Sequence, residues 1–208
     1  MLQALARNLA SNLPGEVARE IEMLKGCKSE NIVQYLGSLT TEGELWIIME
    51  YVGGGSILDM MDSGALDEAS IQTIMHEVLK GLDYLHTEGK IHRDIKAANV
   101  LLGNGGVAKI SDFGLARVVG TAGFTRTSSS HGGTAGYMAP ELGEAGVLDR
   151  DGASADVFAV AVLLAEVLTG EEPFGDARND VAIALRVRDG ERPALPKSTP
   201  ARLREALM

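Results

Sequence analysis

The run Ile91-His92-Arg93-Asp94-Ile95-Lys96-Ala97-Ala98-Asn99, followed by Asp112-Phe113-Gly114 and then Ala139-Pro140-Glu141, constrains this chain more than any other feature. Short β-prone pieces around Ile91, Val100–Leu102 and Val107–Ile110 flank the first two signatures. A strand-turn-strand of this kind turns Asp94, Asn99 and Asp112 toward one cleft. Lys96 lies two residues past Asp94, so on an extended loop both side chains point the same way. Singly, a His-Arg-Asp reads as a surface loop with an ion pair and an Asp-Phe-Gly as a turn. Their order and spacing give them a joint meaning.

That meaning is chemical. Asn99 supplies an amide oxygen and Asp112 a carboxylate, a hard-oxygen set suited to Mg2+ when phosphate completes the shell. Asp94 is a carboxylate able to orient a hydroxyl and accept its proton, and Lys96 a cation able to steady a transferring phosphate.

The chain of 208 residues is long enough for one domain with a sizeable core. Hydrophobic residues make up 45% and charged ones 23%, which excludes an intrinsically disordered chain. A formal net charge of −10 argues against a nucleic-acid partner. The single Cys27 permits no internal disulfide and fits a reducing, cytoplasmic compartment. The first residues, 1–14, lack the apolar block of a secretory signal. The most apolar stretch, Ala153 to Leu168, is short for a bilayer and is interrupted by Asp156 and Glu166, so it is expected to be a buried helix with no membrane span.

Periodicity divides the chain. A helical spacing at Val17, Ile21 and Leu24 ends near Gly26. Two apolar runs, Ile32 to Leu39 and Leu45 to Val52, read as a β-hairpin joined by 40–44. Gly53-Gly54-Gly55 is the expected hinge, and Ser56 to Met61 a short helix. Asp67 is the expected N-cap of a long helix whose stripe is Ile71, Ile74, Met75, Val78, Leu79, Leu82 and Leu85. Further helices are expected over Ala155 to Leu168, over Asp180 to Arg188, and from Ala201 onward.

The three signatures, in this order, resemble those of the eukaryotic protein kinase family. Leu45-Trp46-Ile47-Ile48-Met49-Glu50-Tyr51-Val52-Gly53-Gly54-Gly55-Ser56 and Leu79-Lys80-Gly81-Leu82-Asp83-Tyr84-Leu85-His86 are similar to its sterile-twenty-like branch. Leu168-Thr169-Gly170-Glu171-Glu172-Pro173-Phe174 looks more like the tyrosine-kinase-like or MAP kinase kinase kinase types. The resemblance implies an α+β, two-lobe protein kinase-like fold. Its small lobe would be truncated (1–52) and its large lobe mainly helical (53–208) and lacking its last helices. It implies an ATP-dependent protein serine/threonine kinase acting on a protein substrate in intracellular signalling, with ATP and Mg2+ as cofactors.

By resemblance, Asp94, Lys96, Asn99 and Thr134 are catalytic, and Asn99 and Asp112 hold the metal. Met49 is the gatekeeper behind the adenine, the backbone of Glu50 and Val52 meets the adenine edge, and Leu101 floors the pocket. Glu20 falls where the family places the glutamate that pairs with a strand lysine. Phe113 and Leu24 would stack with His92, and Asp156 would anchor the catalytic loop. Arg93 would clamp a phosphate on the loop before Ala139, where Ser130 is the first expected site and Thr127 another.

The match has gaps. Counting back from Glu20 puts the strand lysine near Gln3, and no lysine precedes Lys25. A glycine-rich phosphate loop is not seen, and the arginine expected to pair with Glu141 is not matched by Arg202 or Arg204. Three readings therefore stay open: a catalytic kinase, a pseudokinase-like docking module that binds ATP weakly or not at all, or a truncated gene product, which is compatible with the first.

Overall fold

The computed structural model describes residues 21, 24–41, 44–64, 66–103, 105–112, 117–118, 135–143 and 152–207. Strands β1 (Tyr35–Thr41) and β2 (Glu44–Met49) form an antiparallel pair with Tyr35 opposite Met49 and Leu39 opposite Trp46. Alternation sends Ile47 to the core side, with Tyr35 beside it, and leaves Leu36, Leu39, Trp46 and Ile48 exposed. The first strand begins at Tyr35 rather than at the expected Ile32. Ile32 instead bridges Ile110 in parallel: Val33 N donates to Ile110 O (2.9 Å) and Ile110 N to Asn31 O (2.8 Å). The backbone of 31–33 is satisfied there and is not free to pair in the hairpin.

The glycine run expected as the hinge is fastened on one side. Gly54 N donates to Leu102 O (2.9 Å), and Leu102 N donates to Gly55 O (2.9 Å). A Cβ on Gly54 would lie 2.3 Å from Leu102 O, so only glycine admits this approach. Helix α1 (Ile57–Ser63) follows, started by a capping box. Ser56 Oγ accepts from Asp59 N (3.1 Å) and Asp59 Oδ2 accepts from Ser56 N (2.8 Å).

Helix α2 (Glu68–Thr87) is N-capped by Asp67, whose Oδ1 accepts from Ser70 N (2.8 Å). Its stripe is buried as expected at Ile71, Ile74, Met75, Val78, Leu82 and Leu85. Leu79 is the exception, at 50% exposed. Val78 and Leu82 centre the buried face, and Leu79 falls a third of a turn off it.

After α2 come β3 (Lys90–Ile91), a 3-10 turn (Ala97–Asn99), β4 (Val100–Leu102), β5 (Ala108–Ile110) and β6 (Arg117–Val118). Antiparallel β4–β5 and β3–β6 pairs brace the two ends of the loop carrying Asp94. Two more 3-10 turns, Ala135–Tyr137 and Pro140–Gly143, precede α3 (Gly152–Thr169), and α4 (Asp180–Arg188) and α5 (Ala201–Leu207) close the chain.

Helix α3 begins three residues before the expected Ala155. Gly152 lets it start against β3, since a Cβ there would lie 2.1 Å from Ile91 Cδ1. By length and composition α3 is able to cross a membrane. Here Ala159, Val160, Val162, Leu163 and Val167 pack in the main core with Val78, Leu85, Ile95 and Ile110. Each fully buried Ile or Leu contributes about 1.5–3 kcal/mol, which makes α3 the pillar on which the loop rests. A smaller cluster of Phe174, Ile183 and Val187 seats α4.

Candidate active site

The site is built outward from Asp156, a carboxylate with 0% exposure inside apolar α3. A buried carboxylate needs partners. Its Oδ2 accepts from His92 N (2.9 Å) and its Oδ1 from Arg93 N (2.7 Å); His86 Nε2 lies 2.9 Å from Oδ2. The sequence expectation that Asp156 anchors this loop matches the geometry. Arg93 has φ 68, a left-handed conformation that costs a non-glycine residue about 1–3 kcal/mol. The Asp156 bond to its amide holds it there.

His92 is also fully buried. Its Nε2 lies 3.0 Å from Ser111 O, and its Nδ1 accepts from Asp94 N (3.2 Å). A carbonyl only accepts, so Nε2 carries the proton and the imidazole is neutral. Burial holds His92 below the ordinary imidazole value, with the Asp156 charge and the Ser111 carbonyl opposing it. The ring thus ties the Asp94 backbone to the residue just before Asp112.

Three of the expected catalytic side chains converge. Lys96 Nζ lies 2.8 Å from Asp94 Oδ2. Asn99 Nδ2 donates to Asp94 O (2.8 Å) and to Asp94 Oδ2 (2.9 Å). With the nitrogen committed, Asn99 presents its Oδ1 as the end left for a cation. Ser111 N (2.8 Å) and Ser111 Oγ (3.0 Å) both donate to Asn99 O. The next residue, Asp112, is exposed and has φ 60. The backbone thereby fastens to Asn99 the residue before Asp112, which is a second left-handed residue of the kind that clusters at functional sites.

Met49 ends β2, and Leu101 lies half-buried in β4, bridged to Ser56. Glu50 N donates to Gln34 O (2.8 Å). The Glu50 carbonyl and the Val52 amide enter no hydrogen bond among the described residues, so both remain available to a ligand edge. Glu50 Oε1 accepts from Gln34 N (3.1 Å) and meets Lys109 Nζ at 2.8 Å. Glu20, Phe113, Thr127, Ser130 and Thr134 lie outside the described residues; Leu24 is buried in the main core.

Sequence reasoning missed three groups. Lys109 latches Glu50 to β5, with nothing in the local text to mark it. His86 completes the ring of partners around Asp156. Glu166 accepts a hydrogen bond from the Tyr137 hydroxyl in the interior, and its signal was readable as a second carboxylate in an apolar helix. Burial pushes Glu166 up to about 7, against the lowering effect of the Tyr137 bond. Burial and the Glu166 charge push the Tyr137 phenol far above its usual range.

The family model of the protein kinase domain matches residues 5–200. Serine/threonine-protein kinase 1 of Arabidopsis thaliana is 45% identical over 163 residues, covering 76% of this chain and 18% of the relative. Serine/threonine-protein kinase cst-1 of Caenorhabditis elegans is 40% identical over 163 residues, covering 77% of this chain and 32% of the relative. Serine/threonine-protein kinase STY46 of Arabidopsis thaliana is 35% identical over 201 residues, covering 96% of this chain and 34% of the relative. The chain belongs to the protein kinase family. It spans about a third or less of the length of several curated relatives it matches, 18%, 32% and 34% in these three cases.

Proposed function

We propose that this chain transfers the γ-phosphoryl group of ATP to a serine or threonine hydroxyl of a protein substrate. The observation that carries the reading is the Asp94–Lys96–Asn99 cluster, joined through Ser111 to Asp112. Phosphoryl transfer asks a protein chiefly for positioning and charge neutralisation. Asp94, held by Asn99 and by the neutral His92, orients the hydroxyl and accepts its proton. Lys96 stands at Asp94 Oδ2 and meets the transferring phosphate. Met49, the Glu50 and Val52 backbones and Leu101 line the purine side.

The family implies a divalent cation with the nucleotide. The donor set fits Mg2+, since Asn99 Oδ1 and the Asp112 carboxylate are hard oxygens and few protein ligands are needed once phosphates bind. The ion would supply neutralisation of phosphate charge. Thr134, Glu20, and the loop sites Ser130 and Thr127 keep their proposed roles in the substrate pocket, the phosphate grip and activation, with Arg93 as the clamp. The buried Cys27, in thiol form, fits the proposed cytoplasmic setting.

Thermal shift with Mg2+ and ATP tests the reading. At 100 times Kd, ligand should stabilise the fold by about 2.7 kcal/mol. Absence of any shift at millimolar nucleotide would favour the docking-module reading instead.

A further inference from the structure

Beneath the Ala135–Tyr137 turn lies a carboxylate that the scheme above does not use. Tyr137 is 8% exposed and Glu166 5%, and the phenol donates to the carboxylate. The Ala97 amide acts on the same phenol. Tyr137 therefore stands between the loop bearing Asp94, Lys96 and Asn99 and the helix bearing Asp156. The turn also packs on α4.

The elements packed on α3 bring other titratable groups, each engaged elsewhere. His86 from α2 is bound to Asp156, Lys90 of β3 lies 3.5 Å from Cys27 Sγ, and Lys96 beside the 97–99 turn pairs with Asp94. Glu172, just past the end of α3, acts on Glu166 with like charge. Among the described residues no cation pairs with Glu166.

A buried carboxylate with one phenol donor, a like charge nearby and no cation is balanced between two states. Ionised, it receives a charge-assisted bond and holds Tyr137 tightly. Protonated, it keeps only a neutral bond. We propose that Glu166 and Tyr137 form a proton-responsive brace that sets how firmly the Ala135–Tyr137 turn is held to the 92–99 loop, firm with the carboxylate ionised and slack with it protonated. Its consequence for peptide binding rests on the kinase reading; the brace itself does not. With Glu166 pushed up to about 7, the change falls near neutral pH. The folded-state value lies above the unfolded one of 4.5, so the proton's stabilisation is full below about 4.5 and is lost as pH rises through about 7. The firm brace is the less stable state of the fold.

The test is hydrogen exchange of the 135–141 amides in the full chain, normalised to intrinsic rates, from acid to mildly alkaline pH, with peptide KM and kcat in parallel. In the wild type, protection rises severalfold through a midpoint near neutral pH. Glu166→Gln abolishes the rise. Tyr137→Phe removes the donor that favours ionisation and moves the midpoint up by about one pH unit, tenfold in proton affinity. Peptide KM, not kcat, tracks protection. Matching pH profiles in wild type and Glu166→Gln overturn the brace. If Glu166→Gln does not fold, an unmoved midpoint in Tyr137→Phe overturns it. Exchange profiles as expected with no peptide phosphorylated at all would remove the kinase reading and leave the brace standing.

Discussion

Asn99 donates its side-chain amide nitrogen to Asp94 twice, at 2.8 Å to the backbone carbonyl and at 2.9 Å to Oδ2. One residue thereby fixes Asp94, the proposed base, and leaves its own side-chain oxygen for the proposed cation. Asn99→Ala removes both functions at once. Phosphorylation of a peptide should fall by about 10²-fold or more, as expected when a positioned proton acceptor is lost. Steady-state kinetics at saturating ATP checks this. Asn99→Asp should fail as well, because a carboxylate cannot donate to Asp94.

Asp156 satisfies the amides of His92 and Arg93 from the interior of α3. Asp156→Ala leaves those amides and His86 without this partner and releases the left-handed Arg93. We expect a loss of about 3–5 kcal/mol, the range for breaking a buried charged network, read by urea denaturation. Peptide turnover should fall with it, since Asp94 directly follows the released backbone.

His92 is neutral and its pKa lies below the imidazole value of 6.5. A depressed folded-state value means that the unfolded chain binds more protons in that window. Stability tied to His92 is therefore present above about 6.5 and lost as pH falls below it. The stability difference between wild type and His92→Gln should shrink from pH 7 to pH 5. A difference that stays constant would show that the imidazole does not titrate on unfolding.

The sequence showed Asp94, Asn99 and Asp112 because motif residues lie close along the chain, where spacing and strand alternation are local rules. Asp67 and the α2 stripe were legible for the same reason. Leu79 and the start of β1 were not. The burial of Leu79 depends on which arc of α2 meets the core, and Ile32 is drawn from the hairpin by Ile110, far along the chain. The Glu50–Lys109 and Tyr137–Glu166 pairs likewise join distant residues, and no local pattern announces a tertiary partner.

Gly54 illustrates the same point for backbone packing. A side chain there would meet Leu102 O at 2.3 Å. Gly54→Ala should destabilise the fold by about 1–3 kcal/mol, the range for overpacking, and weaken nucleotide binding by shifting Leu101. Gly105→Ala makes the comparison: its Cβ meets open space, although its φ of 88 adds local strain. A fall in stability with unchanged nucleotide affinity is expected there, so affinity separates the two variants.

Transfer of labelled γ-phosphate from ATP to a serine- or threonine-containing peptide, compared between wild type and Asp94→Asn, tests the central claim most directly. Incorporation should require Mg2+ and fall by about 10²–10⁴-fold in Asp94→Asn, with the variant still folded. Equal incorporation by the two proteins, or none by the wild type, would contradict it.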